Sequence, residues 1–95
     1  MGRADAVISD MSPHVSGNRN IDHERSLALA RLALALATRV LRPGGNFLCK
    51  VFQGPHADEL RRDVARRFRT SRGHAPEASR KESRETYVVA KGFKG

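Results

Sequence analysis

Three short strings in this chain set an ionisable side chain at or near the end of an apolar run. They are Ser9-Asp10-Met11-Ser12-Pro13, Lys50-Val51-Phe52-Gln53-Gly54 and Ser83-Arg84-Glu85-Thr86-Tyr87. Charged groups in apolar runs are costly to desolvate and are seldom kept without a partner or a task. An acid, an amine and an acid brought to one edge of a sheet make a cluster whose members tune one another. Carboxylates beside an amine favour its charged form, so Lys50 between Asp10 and Glu85 is expected as an ammonium. The plain alternative is an ion-pair cluster that only holds three strands together.

The elements that must position these groups follow from the pattern. Ala4 to Ser9 is short and apolar and reads as a strand buried on both faces. Met11 to Asn20 is a polar loop, long for a strand-to-helix connection, and such loops often carry function. Asp22 is expected to cap a helix running to about Leu41, with Glu24 in its first turn. Leu29, Leu32, Leu36 and Val40 are the expected core stripe, with alanines permitting close approach to a sheet. Pro43-Gly44-Gly45 stops that helix and turns the chain. Phe47 to Phe52 is the second strand, with Lys50 as its exception. A second helix is expected over roughly Ala57 to Phe68, with Leu60, Val64 and Phe68 inward. A weak strand near Arg69–Gly73 and a clear one over Thr86–Ala90 follow, and Lys91 to Gly95 reads as a frayed tail. Alternating strands and helices imply an α/β fold with a parallel sheet and right-handed crossovers. Ligands of such sheets bind beyond the carboxyl ends of the strands.

Composition narrows the class. At 95 residues the chain is one domain or part of one. No apolar run reaches the ~20 residues of a membrane span. The single cysteine, Cys49, forbids an intramolecular disulfide and fits a reducing cytoplasm, where it reads as a small buried hydrophobe. The net charge of +8 is lopsided: residues 1–60 hold seven Lys/Arg against six Asp/Glu, and residues 61–95 hold eleven against four. That field suits a polyanion, most simply nucleic acid. Four histidines (His14, His23, His56, His74) have no metal-site spacing and read as surface or capping residues.

Longer strings carry a family. Asp10-Met11-Ser12-Pro13 with Ser16-Gly17, and Asp22-His23 opening an Ala/Leu helix, resemble the FtsJ-type ribosomal RNA 2′-O-methyltransferases. So do Leu41-Arg42-Pro43-Gly44-Gly45, Lys50-Val51-Phe52-Gln53-Gly54 and Ser79-Arg80 followed by Ser83-Arg84-Glu85-Thr86-Tyr87. The resemblance runs from Ala4 to Gly92. It implies part of a Rossmann-like, S-adenosylmethionine-dependent methyltransferase sheet, the second half of a seven-stranded fold. Residues 1–95 then form a single partial domain in which the N-terminal half with its Gly-rich cofactor loop is absent, as expected of a fragmentary gene, a mis-called start or a half that needs a partner. Gly44-Gly45 follows a helix rather than a strand, so it is not that loop.

The family carries a Lys-Asp-Lys-Glu tetrad. Its Asp is similar to Asp10, its second Lys to Lys50 and its Glu to Glu85, while its first Lys has no counterpart here. The resemblance implies catalytic roles for Lys50, Asp10 and Glu85, with Lys50 taking the proton of a ribose 2′-hydroxyl or steering it. It places Asp10 and Met11 beside S-adenosylmethionine. Asn18 and Arg19, in the loop after Asp10, and Arg80 and Arg84, flanking Glu85, are candidate RNA contacts. Solvent exposure, or pairing of the arginines with Glu77 or Glu82, is the plainer reading of those four. The implied partner is ribosomal RNA or a ribosomal subunit, with a uridine of the large subunit as target; no metal or membrane is implied, and the location is cytoplasmic. Transfer RNA methylation and a non-catalytic basic RNA-binding remnant are the rival readings.

Overall fold

In a computed structural model, residues 3–10, 16–74 and 85–95 are described. The order is β1 (Ala4–Ser9), α1 (Arg19–Val40), β2 (Leu41–Phe52), α2 (Ala57–Arg67), β3 (Phe68–His74) and β4 (Glu85–Phe93). Four strands form one sheet in the order β1-β2-β4-β3. The β1–β2 pair is parallel, whereas β4 runs antiparallel to both β2 and β3. The sheet is therefore mixed and not uniformly parallel as the alternation suggested. The weak strand is a full one, because Phe68 supplies an anchor and β4 supplies a partner for six of its residues.

Helix α1 starts earlier than expected. Asn18, not Asp22, is the N-cap: its side-chain oxygen accepts from the Asn20 and Ile21 amides at 3.0 and 3.1 Å. The expected leucine stripe is also wrong. Leu27, Ala30, Ala33, Leu34 and Ala37 are buried, while Leu32 and Leu36 are exposed. An Ala/Leu helix this rich has two apolar stripes. The one with more alanines lies on the sheet, since small side chains let the backbones come close.

Strand β2 begins at Leu41, so Pro43-Gly44-Gly45 lies inside a strand and not in a separate turn. The register jumps there: Ala4 faces Leu41 but Ala6 faces Asn46. Gly44 absorbs the irregularity with φ of +87°, a backbone region open to glycine.

Alternation sends Phe47, Cys49 and Val51 to one face of the sheet. Both helices cover that face, because Leu34, Leu60 and Val64 join those residues in one core cluster with Val88 and Ala90. Phe68 stacks on Phe47 at 5.8 Å and tilts against Phe93 at 5.4 Å. Such ring pairs add about 0.5–1.5 kcal/mol beyond area burial. They hold Phe93, which is buried, so the chain is in β4 up to Phe93 and not frayed from Lys91.

Candidate functional site

Two topological facts build the site. Ser9 pairs with Cys49 in the parallel β1–β2 ladder, so Asp10 leaves the carboxyl end of β1 beside Lys50. In the antiparallel β2–β4 ladder Phe52 faces Glu85 and Lys50 faces Tyr87. The amino end of β4 thus arrives at the edge where β1 ends, with Glu85 diagonal to Lys50 on the same face.

The side chains meet. Lys50 Nζ lies 2.8 Å from Asp10 Oδ1 and 3.2 Å from Glu85 Oε2. The Lys50 side chain is only 11% exposed, against 67% for Asp10 and 37% for Glu85. A nearly buried amine is thus held by two carboxylates that still reach solvent. The hydrogen bond to Asp10 raises the Lys50 pKa most, burial pulls it down, and the hydrogen bond and charge of Glu85 raise it again. The net direction is upward, so the group is an ammonium at neutral pH.

A second cluster, at residues expected as caps and surface, staples this edge. His23 is buried. Its Nδ1 donates to the Phe52 carbonyl at 2.9 Å, and its Nε2 accepts the His56 amide at 3.2 Å. A carbonyl only accepts and an amide only donates, so these partners select the neutral imidazole with its proton on Nδ1. Ser26 Oγ donates to the His23 carbonyl and accepts the Phe52 amide, both at 2.9 Å. Asp22 is fully buried and accepts from the amide and hydroxyl of Ser16, each at 2.8 Å. His56 Nδ1 lies 2.7 Å from Glu24 Oε1. Both backbone groups of Phe52, two residues beyond Lys50, are therefore fixed by the first turns of α1. A Cβ at Gly54 would land inside the His23 ring. The usable signal was His23 and Ser26 at a spacing of three on one face of an apolar helix, directly before Ala30.

The remaining candidates do not gather at the Lys50 cluster. The Asn18 side chain is engaged in capping. Arg19 is the first residue of α1, and its side chain is not among those described. Met11, Arg80 and Arg84 lie outside the described residues, as does His14. Arginines 61, 62, 66, 67, 69 and 72 form an exposed basic run along α2 and β3. A groove of about 420 Å³ opens beside the β2 end, walled by Gln53, Gly54, Arg61, Thr86 and Tyr87. Among the described residues no helix is long and apolar enough to cross a membrane. Cys49 is fully buried, and burial pushes its thiol up to about 12, with a Val88 backbone hydrogen bond opposing.

Comparison with known proteins follows the same geometry. The FtsJ-like methyltransferase family model matches residues 1–93. A ribosomal RNA large subunit methyltransferase E of Methanothrix thermoacetophila is 51% identical over 90 residues, covering 95% of this chain and 35% of the relative. The Cenarchaeum symbiosum protein of that name is 47% identical over 95 residues, covering 100% and 48%. A crystal structure of a ribosomal RNA methyltransferase from Plasmodium falciparum superposes with a TM-score of 0.86 at 25% identity, over 99% of this chain and 49% of that one. The chain thus spans about a third to a half of the length of these relatives. Family match, sequence identity and shared fold agree: this chain belongs to the FtsJ-like methyltransferase family.

Proposed function

We propose that residues 1–95 form the ribose-facing part of an S-adenosylmethionine-dependent methyltransferase. Its substrate is a 2′-hydroxyl of large-subunit ribosomal RNA, on a uridine. The observation that supports this reading is the Asp10–Lys50–Glu85 cluster across β1, β2 and β4, in a chain of this family. The relatives' names support the RNA substrate. The basic run on α2 and β3 supports it too, since phosphate contacts draw on such charge. The lone, buried Cys49 supports a reducing, cytoplasmic setting.

The chain's own residues do the following. Lys50 points its ammonium at the sheet edge, where a ribose hydroxyl would receive a hydrogen bond. Asp10 and Glu85 hold that amine and keep it charged. A charged amine donates and orients but takes no proton. Lys50 becomes a base only when a further positive charge close by lowers its pKa. Residues 1–95 alone therefore hold Lys50 in its inert form. We read residues 1–95 as a single partial domain with Asp10 on the cofactor's side, a reading supported by a span of about a third to a half of the relatives' length.

A chimera tests the reading. Residues 1–95 replace the matching segment of the Cenarchaeum symbiosum relative, and methyl transfer to large-subunit ribosomal RNA is measured. Activity is expected, and Lys50→Ala should reduce kcat by ~10²–10⁴-fold, the range of a positioned proton-handling group. A folded chimera that leaves ribosomal RNA unmodified, or one indifferent to Lys50→Ala, would reject it.

A further inference from the structure

Lys50 and Val51 are consecutive in β2 and point to opposite faces of the sheet. On one face Lys50 meets Asp10 and Glu85. On the other Val51 joins Leu60 and Val64 of α2 in the core cluster. The groove of about 420 Å³ opens on this second face, because Val51 and Val88 meet Ala57, Asp58 and Arg61 of α2 in its wall. Tyr87, the register partner of Lys50, borders it as well. The Lys50 cluster and the groove are therefore back to back across the rim where β2 ends and β4 begins.

The polar groups of the groove are set in place. Arg61 lies over β3 at Gly73, where a Cβ would come within 2.7 Å of its Nη1. Asp58, three residues back on the same helix, accepts from Arg61 Nη2. A guanidinium carries five N–H donors, so this bond leaves donors for a ligand. The Thr86 hydroxyl donates to the Val51 carbonyl at 3.0 Å, and the buried Val51 and Val88 supply an apolar floor. Gln53 is exposed at the mouth and offers both an amide donor and an acceptor. Asp58 balances the charge of Arg61, so the groove suits a flat, uncharged group with polar edges better than a phosphate. A nucleobase is such a group, and single-stranded RNA is commonly read by splaying a base into a site of this kind.

We propose that this groove seats the base of the nucleotide next to the one whose ribose lies at Lys50. The RNA strand bends over the rim. The target ribose stays on the Lys50 face, and the neighbouring base enters on the α2 face, over Val51 and Val88, with Arg61 and Gln53 at its edge. Consecutive Cα atoms lie only ~3.8 Å apart, so adjacent nucleotides reach both sites. The inference rests on the RNA reading above and adds a second subsite, on the opposite face of the sheet, that holds a flanking base.

Binding tests it apart from methyl transfer. The probe is a short single-stranded RNA of mixed sequence carrying 4-thiouridine, added to the chimera described above. Light should crosslink it to the peptides that hold Gln53 or Tyr87. Arg61→Met should weaken binding roughly tenfold, within the range that one seated base contributes. Gly73→Ala should do the same, because the added Cβ displaces the guanidinium. Arg39→Gln, which removes an equal charge near the far end of α1, should leave binding unchanged. Binding indifferent to both Arg61→Met and Gly73→Ala would overturn the proposal. So would an equal loss in Arg39→Gln, which would mean charge attraction alone, or crosslinks confined to other peptides. Groove-dependent binding without methylation would reject the methyltransferase reading and support the groove. Methylation without groove dependence would reject the groove alone.

Discussion

Lys50 and Glu85 meet because β4 runs against β2. Glu85 opens β4, and Lys50 lies two residues before the end of β2, with Nζ and Oε2 3.2 Å apart. Were β4 parallel to β2, its first residue would lie at the opposite end of the sheet, several strand residues or more than ~10 Å away at ~3.3 Å per residue. The antiparallel last strand is thus what completes the cluster, and a uniformly parallel sheet could not have done so.

The state of that amine can be measured. Its pKa is raised in the folded chain, chiefly by Asp10. The sign is therefore that of a proton-holding group. Its stabilisation is fully present below the unfolded-chain value of ~10.4 and fades as pH rises through the higher folded value. Side-chain NMR of the isolated chain should show Lys50 as an ammonium throughout the neutral range. A Lys50 that titrates at or below pH 7 in this chain contradicts the inert-ammonium reading.

The His23 staple should show as coupling. Gly54→Ala pushes a Cβ into the His23 ring and should cost more than the surface norm of ~0.5 kcal/mol. His23→Ala leaves the Phe52 carbonyl and the His56 amide without their partner and should cost about 1–3 kcal/mol. In the double variant the clash is gone, so the two costs should fall short of additive by at least ~0.5 kcal/mol. Urea unfolding of the four proteins measures this, and strict additivity would show that ring and turn are independent.

Arg31 and Asp63 join α1 to α2 at 2.6 Å, with 40% and 34% of their side chains exposed. The hydrogen bond from Arg31 leads in holding the Asp63 carboxyl below its usual range, with burial opposing. The stabilisation should therefore be present above pH ~3.9 and be lost as pH falls through the lower folded value. Solvent screening limits it to ~0.2–1 kcal/mol. A double-mutant cycle with Arg31→Met and Asp63→Asn should find coupling at pH 7 that shrinks as the pH is lowered below ~3.9.

Cys49 should be silent until the chain unfolds. Its side chain is fully buried and its thiol is pushed up to about 12. A thiol-reactive dye at pH 8 should label the native chain no faster than global opening permits, and urea should release full labelling. Rapid labelling in native buffer would mean that the β2–β4 core opens locally.

Much of this protein was legible in its residues. The Asp-Met-Ser-Pro, Lys-Val-Phe-Gln-Gly and Ser-Arg-Glu-Thr-Tyr strings pointed to the family, and alternation in Phe47–Phe52 singled out Lys50 as a charge among apolar neighbours. Local pattern also located both helices, because periodicity reports which residues share a face of one element. It does not report which face another element will cover. Leu32 and Leu36 therefore have the pattern of core residues in the sequence, although the alanine-rich stripe is what fits against the sheet. His23 is buried only because α1 lays its first turn on the end of β2, a contact between residues 29 apart in the chain. The direction of β4 has the same origin. A strand's sequence is compatible with either sense of pairing, and only the path of the whole chain decided that Glu85 would lie diagonal to Lys50, within reach of its amine.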